Sequence, residues 1–358
     1  MSEYDYGNAR LRAMKSRLLS SEQLLNLAEV ENIELLLSDL SNTPYQRSVD
    51  VAIVRAFGFE RITRVLQHHL IETAAKMRRF YSGTSAELIS LILTRYDIHN
   101  LKAILRGLSQ HVLPAQIVAA LLPIGELEHS NLMQLVATER PRTVIDLLAS
   151  MRFMIATPLI KLRSQKANAT VAEMELCLEQ WYFDYAAETL ESLNETDSAL
   201  AQALLVEADL INLLAALRFV HAPHERQYMM EQLQISNLNQ LFVRAGKLSY
   251  QVLEELAQSD GMQIAVEHLR STVYSEAVSE SLERYLKSKL LSEFERGLQR
   301  YRTWTLSRHI IKDPLGIGVP LGYLVLKENE IRNLRAIAWG IALGHNANNI
   351  KADLEFVA

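Results

Sequence analysis

Asp97-Ile-His-Asn-Leu-Lys-Ala-Ile-Leu-Arg106, Asp209-Leu-Ile-Asn-Leu-Leu-Ala-Ala-Leu-Arg218 and Glu330-Ile-Arg-Asn-Leu-Arg-Ala-Ile-Ala-Trp339 carry an acid, an apolar residue, Asn-Leu and Ala in one register. Their asparagines are 112 and 121 residues apart. Fainter echoes, Leu24-Leu-Asn-Leu-Ala28, Leu132-Met-Gln-Leu-Val136 and Leu253-Glu-Glu-Leu-Ala257, recur at 108 and 121. A fixed long period means a structural unit copied along the chain. The expectation is three related domains, over residues 1–112, 113–224 and 225–358.

Each copy reads as a helix. Ile98, Leu101, Leu105 and Leu108 follow the 3,4,3 spacing of one buried stripe, and Ile331, Leu334, Ala338 and Ile341 repeat it. At about 100° per residue, Asn100, Ala103 and Gly107 fall on a second, narrow face, which the third copy restores as Asn333, Ala336 and Gly340. A face of small residues admits a close neighbour. Two readings stay open: another helix of the same domain packs there, with the asparagine capping or bridging, or three equivalent faces line a cavity.

Outward from these segments, apolar residues recur at steps of three and four, as in Leu24, Leu27, Leu35 and Leu36 or Leu282, Tyr285, Leu286 and Leu290. Helix-stopping chemistry interrupts them at Ser41–Pro44, Tyr81–Thr84, Pro114, Pro123–Gly125, Arg140-Pro141, Ala222-Pro-His224, Ser259–Gly261 and Asp313-Pro-Leu-Gly-Ile-Gly318. Thirteen glycines and eight prolines in 358 residues are too few turn formers for a many-stranded protein. The fold class is all-α.

Composition narrows the function. With 49% apolar residues and a net charge of −5, the chain is an ordinary globular one. One cysteine, Cys177, supplies neither an internal disulfide nor a metal-ligand set, and points to a reducing compartment. The start, Met1-Ser-Glu-Tyr-Asp-Tyr-Gly7, has two acids and no apolar core of about 7–15 residues after a basic end, which argues against export. The uncharged stretch Gly107–Gly125 holds Ser109, Gln110, His111, Pro114, Gln116 and Pro123, unlike a span of about 20 apolar residues, so no transmembrane segment is expected. Beyond Lys76-Met-Arg-Arg79 there is no basic stripe to gather phosphates, so nucleic acid is not an expected partner.

Catalytic chemistry is thin. Gly246-Lys247 lacks the upstream glycine of a phosphate loop, and Gly316-Ile-Gly318 lacks the third glycine and the strand of a dinucleotide site. His221-Ala-Pro-His224-Glu225 reads as a polar loop, because its proline prevents the helical spacing a metal needs. His68, His69 and His99 read as surface histidines, and Glu173, Glu175 and Glu179 as the solvated face of a helix of mixed charge. No catalytic residue, cofactor site or metal site is assigned.

Taken in order, Tyr6-Gly-Asn-Ala-Arg-Leu-Arg-Ala-Met-Lys15 with Leu18-Leu19, then Tyr96–Arg106, Asp313–Gly318 and Leu321-Gly-Tyr-Leu-Val-Leu-Lys-Glu-Asn-Glu-Ile-Arg-Asn-Leu-Arg335 reach nearly both ends of the chain. In these segments the sequence resembles the C-type subunit of bacterial and archaeal V/A-type rotary ATPases, the counterpart of the d-type subunit of eukaryotic vacuolar ATPases. The middle copy departs from the pattern with Ile211 and Leu214 where the outer copies are polar.

The resemblance implies three similar helical domains around a pseudo-threefold axis, forming a funnel. It implies a non-catalytic socket, peripheral on the cytoplasmic face of the membrane, that seats the central rotor shaft (D- and F-type subunits) on the proteolipid ring. Candidate shaft- or cavity-facing residues are then Asp97, Asn100, Asp209, Asn212, Glu330 and Asn333. The loop of Asp313, Pro314, Gly316 and Gly318 is a candidate contact surface, or a turn that orients the last long helix. The competing class is a helical scaffold unrelated to ion pumping; common solenoids, however, repeat at about 33–47 residues, far below this period. An all-α enzyme is the third reading, and no acid–base pair can be named for it.

Overall fold

A computed structural model describes residues 3–52, 57–244 and 246–357, so Met1 and Ser2 of the acidic start lie outside the described residues. The chain is all-α: helices from Asp5–Lys15 to Ala347–Ala352 follow one another, and no strand occurs among the described residues. No described helix is long and apolar enough to cross a membrane. Most breaks expected from the sequence lie between helices. Pro114, Pro141 and Pro223 instead open helices, where a missing N–H costs nothing. His221-Ala-Pro-His224 is therefore not a loop: one helix ends at His221 and the next, Pro223–Leu233, begins two residues later.

The chain divides into two compact units, one of residues 1–97, 119–129 and 306–358, the other of 98–118 and 130–305. In the first, the long helix Gly318–Ala342 is the centre: Asp5–Lys15, Ser21–Leu27, Ile33–Leu40, Gly58–Arg79 and Ala347–Ala352 all pack on it. Leu321, Leu324, Ile331, Leu334, Ile337 and Ala338 form its buried side, while Ile341, the last of the expected stripe, is half-buried. In the second, Ala199–His221 takes that place, packed by Val171–Ser192, Pro223–Leu233, Tyr250–Ala257 and Met262–Glu267. It is apolar nearly all round, which is why it reads as a central helix. The remaining long helix, Thr84–Ser109, contributes its residues through Asp97 to the first unit and the rest to the second.

Local chemistry sets the helix ends. Ser20 and Thr170 form reciprocal capping boxes with Gln23 and Glu173, and Asn32, Ser198, Ser249 and Asn346 cap their helices by accepting a backbone N–H. Two of the long helices close alike: Val112 N donates to Gly107 O and His345 N to Gly340 O, both at 2.9 Å, through left-handed His111 and Gly344.

The small-residue face is occupied by helix packing. A Cβ on Gly107 would lie 2.5 Å from Ile117 Cγ1 of Pro114–Ala119, and one on Gly340 would lie 2.6 Å from Ile350 Cγ1 of Ala347–Ala352. Each isoleucine stands ten residues after its glycine. Of the two readings of that face, helix packing is the one found at both glycines.

Candidate functional site

The three repeated acids open the most conspicuous polar sites of the interior. Asp97, Asp209 and Glu330 are 2%, 0% and 4% exposed, and Asn100, Asn212 and Asn333 between 0% and 2%. A buried carboxylate needs donors. Asp97 takes them from the loop that ends at the echo helix His129–Val136: Glu126 N donates to Oδ2 at 2.7 Å and Leu127 N to Oδ1 at 3.1 Å. Asp209 takes them from the loop before the echo helix Tyr250–Ala257: Lys247 N donates at 2.9 Å and Leu248 N at 3.1 Å. Glu330 accepts Leu19 N, just before the echo helix Ser21–Leu27. The acid of each long helix thus holds the entry of one echo helix.

A glycine makes two of these grips possible. A Cβ on Gly125 would collide with Asp97 Oδ2, and one on Gly246 with Leu205 O. The asparagines make a different grip. Asn212 donates Nδ2 to Val243 O and accepts Val243 N at 2.9 Å; Asn333 donates to Glu355 O at 2.8 Å and accepts Glu355 N at 2.9 Å. A side-chain amide here holds one residue by both its backbone groups. In the third copy Leu19 and Glu355, far apart in sequence, take the places that Leu248 and Val243 take in the second.

Tyrosines complete two of the three sites. Tyr45 Oη donates to Glu330 Oε1 and Tyr274 Oη to Asp209 Oδ2, each at 2.7 Å. The two tyrosines stand 229 residues apart, the same spacing as Leu24 and Leu253, and each sits in a Thr-x-Tyr turn whose threonine hydroxyl donates to the carbonyl three residues back. The signal for this repeat is Thr-x-Tyr, at Thr43-Pro-Tyr45 and Thr272-Val-Tyr274. The third copy adds Lys327, 3% exposed, which donates to Glu330 Oε1 at 2.5 Å and lies 4.8 Å over the Tyr45 ring. Burial pushes the lysine's pKa down, against the pull of Glu330. His69 stacks on Tyr45 at 4.0 Å with its pKa driven to about 3, chiefly by burial and then by Lys327. His69 is therefore a packed neutral ring and not a surface histidine, and His68 bonds the buried Ser48.

Asp97 has no such hydroxyl donor among the described residues. Burial raises its pKa to about 6, against the two backbone N–H groups and Arg78. The folded chain thus holds the proton to about pH 6, whereas an unfolded aspartate releases it near about 4. Stability from this group is complete below that lower value and is lost as the pH rises through 6, a swing of about 3 kcal/mol. Asp97→Asn removes the swing, so the stability difference between variant and parent shifts by that amount in denaturant titrations from pH 4 to pH 7.

The acids read as a solvated face are also engaged. Glu179 pairs with Lys102 at 2.6 Å and Glu175 with Arg106, tying Val171–Ser192 to Thr84–Ser109, and Glu173 closes the Thr170 capping box while pairing with Lys166 at 2.7 Å. Among the described residues no group of three or more His, Cys, Asp or Glu is placed to hold a metal ion.

The Asp313–Gly318 loop is held from the chain's first helix: Asn8 Nδ2 donates to Gly316 O at 3.0 Å and Arg12 to Pro314 O at 2.5 Å, while Asp313 accepts Gly318 N at 2.8 Å. A Cβ on Gly318 would lie 2.5 Å from His309 O. The loop therefore turns tightly into the last long helix. Leu315 in the loop and Ile311 on the short helix just before it, His309–Lys312, are 71% and 79% exposed. Gly318→Ala costs about 1–3 kcal/mol through this clash, measured by urea unfolding. Ile311→Ser with Leu315→Ser leaves folding within about 0.5 kcal/mol, because neither side chain is buried.

Comparison with known proteins follows the same full-length pattern. A family model described as ATP synthase (C/AC39) subunit matches residues 7–353. The chain is 28% identical to the C-type subunit of the A-type ATP synthase of Methanosarcina mazei, over 99% of this chain and 94% of that one. It is 27% identical to the protein of that name from Methanosarcina acetivorans, over 95% and 89% of the two chains. The Pyrococcus furiosus protein of the same name is 25% identical over 95% and 86%.

Proposed function

This chain belongs to the ATP synthase (C/AC39) subunit family, and from that premise we propose that it is the non-catalytic central-stalk subunit of a V/A-type rotary ATPase. In this reading it sits at the cytoplasmic face of the membrane and seats the rotor shaft, the D- and F-type subunits, on the proteolipid ring. ATP hydrolysis or synthesis is thereby linked to proton or sodium transport. The observation that carries the proposal is the match to the C-type subunits of A-type ATP synthases over nearly the whole chain, including the repeated acid-Asn helices.

The three copies form three similar domains around a pseudo-threefold axis, a funnel that receives the shaft. A coupler must pass torque without yielding, and the repeated side chains suit that task. Asp97, Asp209, Glu330, Asn212 and Asn333 fasten loops to long helices, so that a socket built on those loops keeps its shape under load. Their part in the socket is support; the partner meets the loops and surfaces they hold.

Ile311 and Leu315 are the segment we assign to the seat on the ring, with Asp313, Pro314, Gly316 and Gly318 setting its turn. Purified chain carrying Ile311→Ser and Leu315→Ser binds the detergent-solubilised membrane sector at least about tenfold more weakly than the parent, a loss of about 1.4 kcal/mol. Unaltered binding by a normally folded double variant removes the loop from the seat.

A further inference from the structure

The second copy breaks a local rule that the first obeys. Asn32 caps Ile33–Leu40 by accepting Leu35 N at 3.0 Å, and Glu34 follows in the first turn. One period on, 108 residues later, Arg140 and Arg142 occupy those places at the start of Pro141–Ser150, and Arg140 makes no capping bond. In the third copy the same places hold Gly261 and Gln263. Positive charge at the positive end of a helix is unfavourable. Neither guanidinium has an ion-pair partner among the described residues. Residues 139–166 hold six Lys and Arg against two acids, in a chain whose net charge is −5.

Both arginines line one cavity of about 430 Å³. Its apolar wall includes Ile145, Leu159, Leu162 and Met174. Arg163 and Lys166 also line it, but their charges are spent on Asp146 and Glu173. What remains is two unpaired planar forks beside a greasy cleft. A guanidinium fork matches two oxygens of a phosphate, and the apolar wall needs a partner of its own.

We propose that this cavity binds a phosphate ester with an apolar body, its phosphate gripped by Arg140 and Arg142 and its body against Leu159, Leu162 and Met174. The source of the ester is either a membrane phospholipid or a soluble metabolite. This site is independent of the coupling role.

The test is calorimetric titration of the purified full chain with short-chain phosphatidylglycerol, with adenosine monophosphate, with inorganic phosphate and with hexaglutamate, alongside flotation on phosphatidylglycerol and phosphatidylcholine vesicles. Binding of phosphatidylglycerol alone identifies the lipid source, and binding of the nucleotide identifies a soluble one; either supports the site. Arg140→Asn with Arg142→Glu restores the residues of the first copy, so the variant should keep or raise its melting temperature while ester affinity falls at least about tenfold. Arg270→Gln with Arg284→Gln, which removes two cations elsewhere, leaves affinity unchanged. Wild-type affinity in the folded Arg140→Asn, Arg142→Glu chain overturns the proposal. So does inorganic phosphate binding as tightly as the esters, or hexaglutamate binding where no ester does.

Discussion

Lys327→Met destabilises the folded chain by about 3–5 kcal/mol, the cost of leaving one member of a buried ion pair without its partner. Lys327 and Glu330 are each under 5% exposed, and Glu330 also holds Leu19 N and the Tyr45 hydroxyl. With the ammonium gone, that carboxylate keeps its donors but loses its countercharge, in surroundings where solvent cannot replace it. Lys327→Met combined with Glu330→Gln removes both charges, and most of the loss returns, because the amide oxygen can still accept Leu19 N while the amide NH2 donates to the Tyr45 hydroxyl, which rotates to accept it. Urea unfolding of the single and double variants measures both values. A loss under about 1 kcal/mol in the single variant would mean that water reaches the pair.

Asp209→Ala has an effect of similar size by another route. The variant leaves two buried donors unmet, Leu248 N and the Tyr274 hydroxyl, and with them the part-buried Lys247 N. At about 1–3 kcal/mol for each unmet group, with partial relaxation, the expected loss is about 3–5 kcal/mol. Tyr274→Phe, which leaves the carboxylate its two backbone donors, costs about 1–2 kcal/mol. Hydrogen exchange locates the effect: in Asp209→Ala the amides of Lys247 and Leu248 lose protection first, whereas in Tyr274→Phe they keep it. Equal losses in the two variants would show that the hydroxyl, and not the loop, is what the aspartate secures.

The helical class, the breaks and the repeat were legible because each is written locally, in period, in caps and in spacing. So was helix packing against Gly107 and Gly340, one of two readings the sequence left open, since a small face has a geometric meaning before its neighbour is known. The partners of the acids were not legible. Asp97 meets a loop about thirty positions on, and Glu330 meets Leu19 from the far end of the chain, pairings that only the folded path creates. Glu175 and Glu179 read as solvated because a single helix does not reveal the Lys102 and Arg106 facing it. His69 read as surface for the same reason: Tyr45 lies 24 residues earlier, and nothing between them announces the stack.

The coupling role predicts a separation that structure-destabilising variants alone do not produce. The direct measurement is ATP hydrolysis and ion translocation followed together on the membrane-reconstituted ATPase, with this chain, without it, and with it added back. Loss of ion transport while the soluble head continues to hydrolyse ATP, restored when the chain returns, is the expected result. Transport and hydrolysis both continuing unchanged in its absence would contradict a socket between shaft and ring.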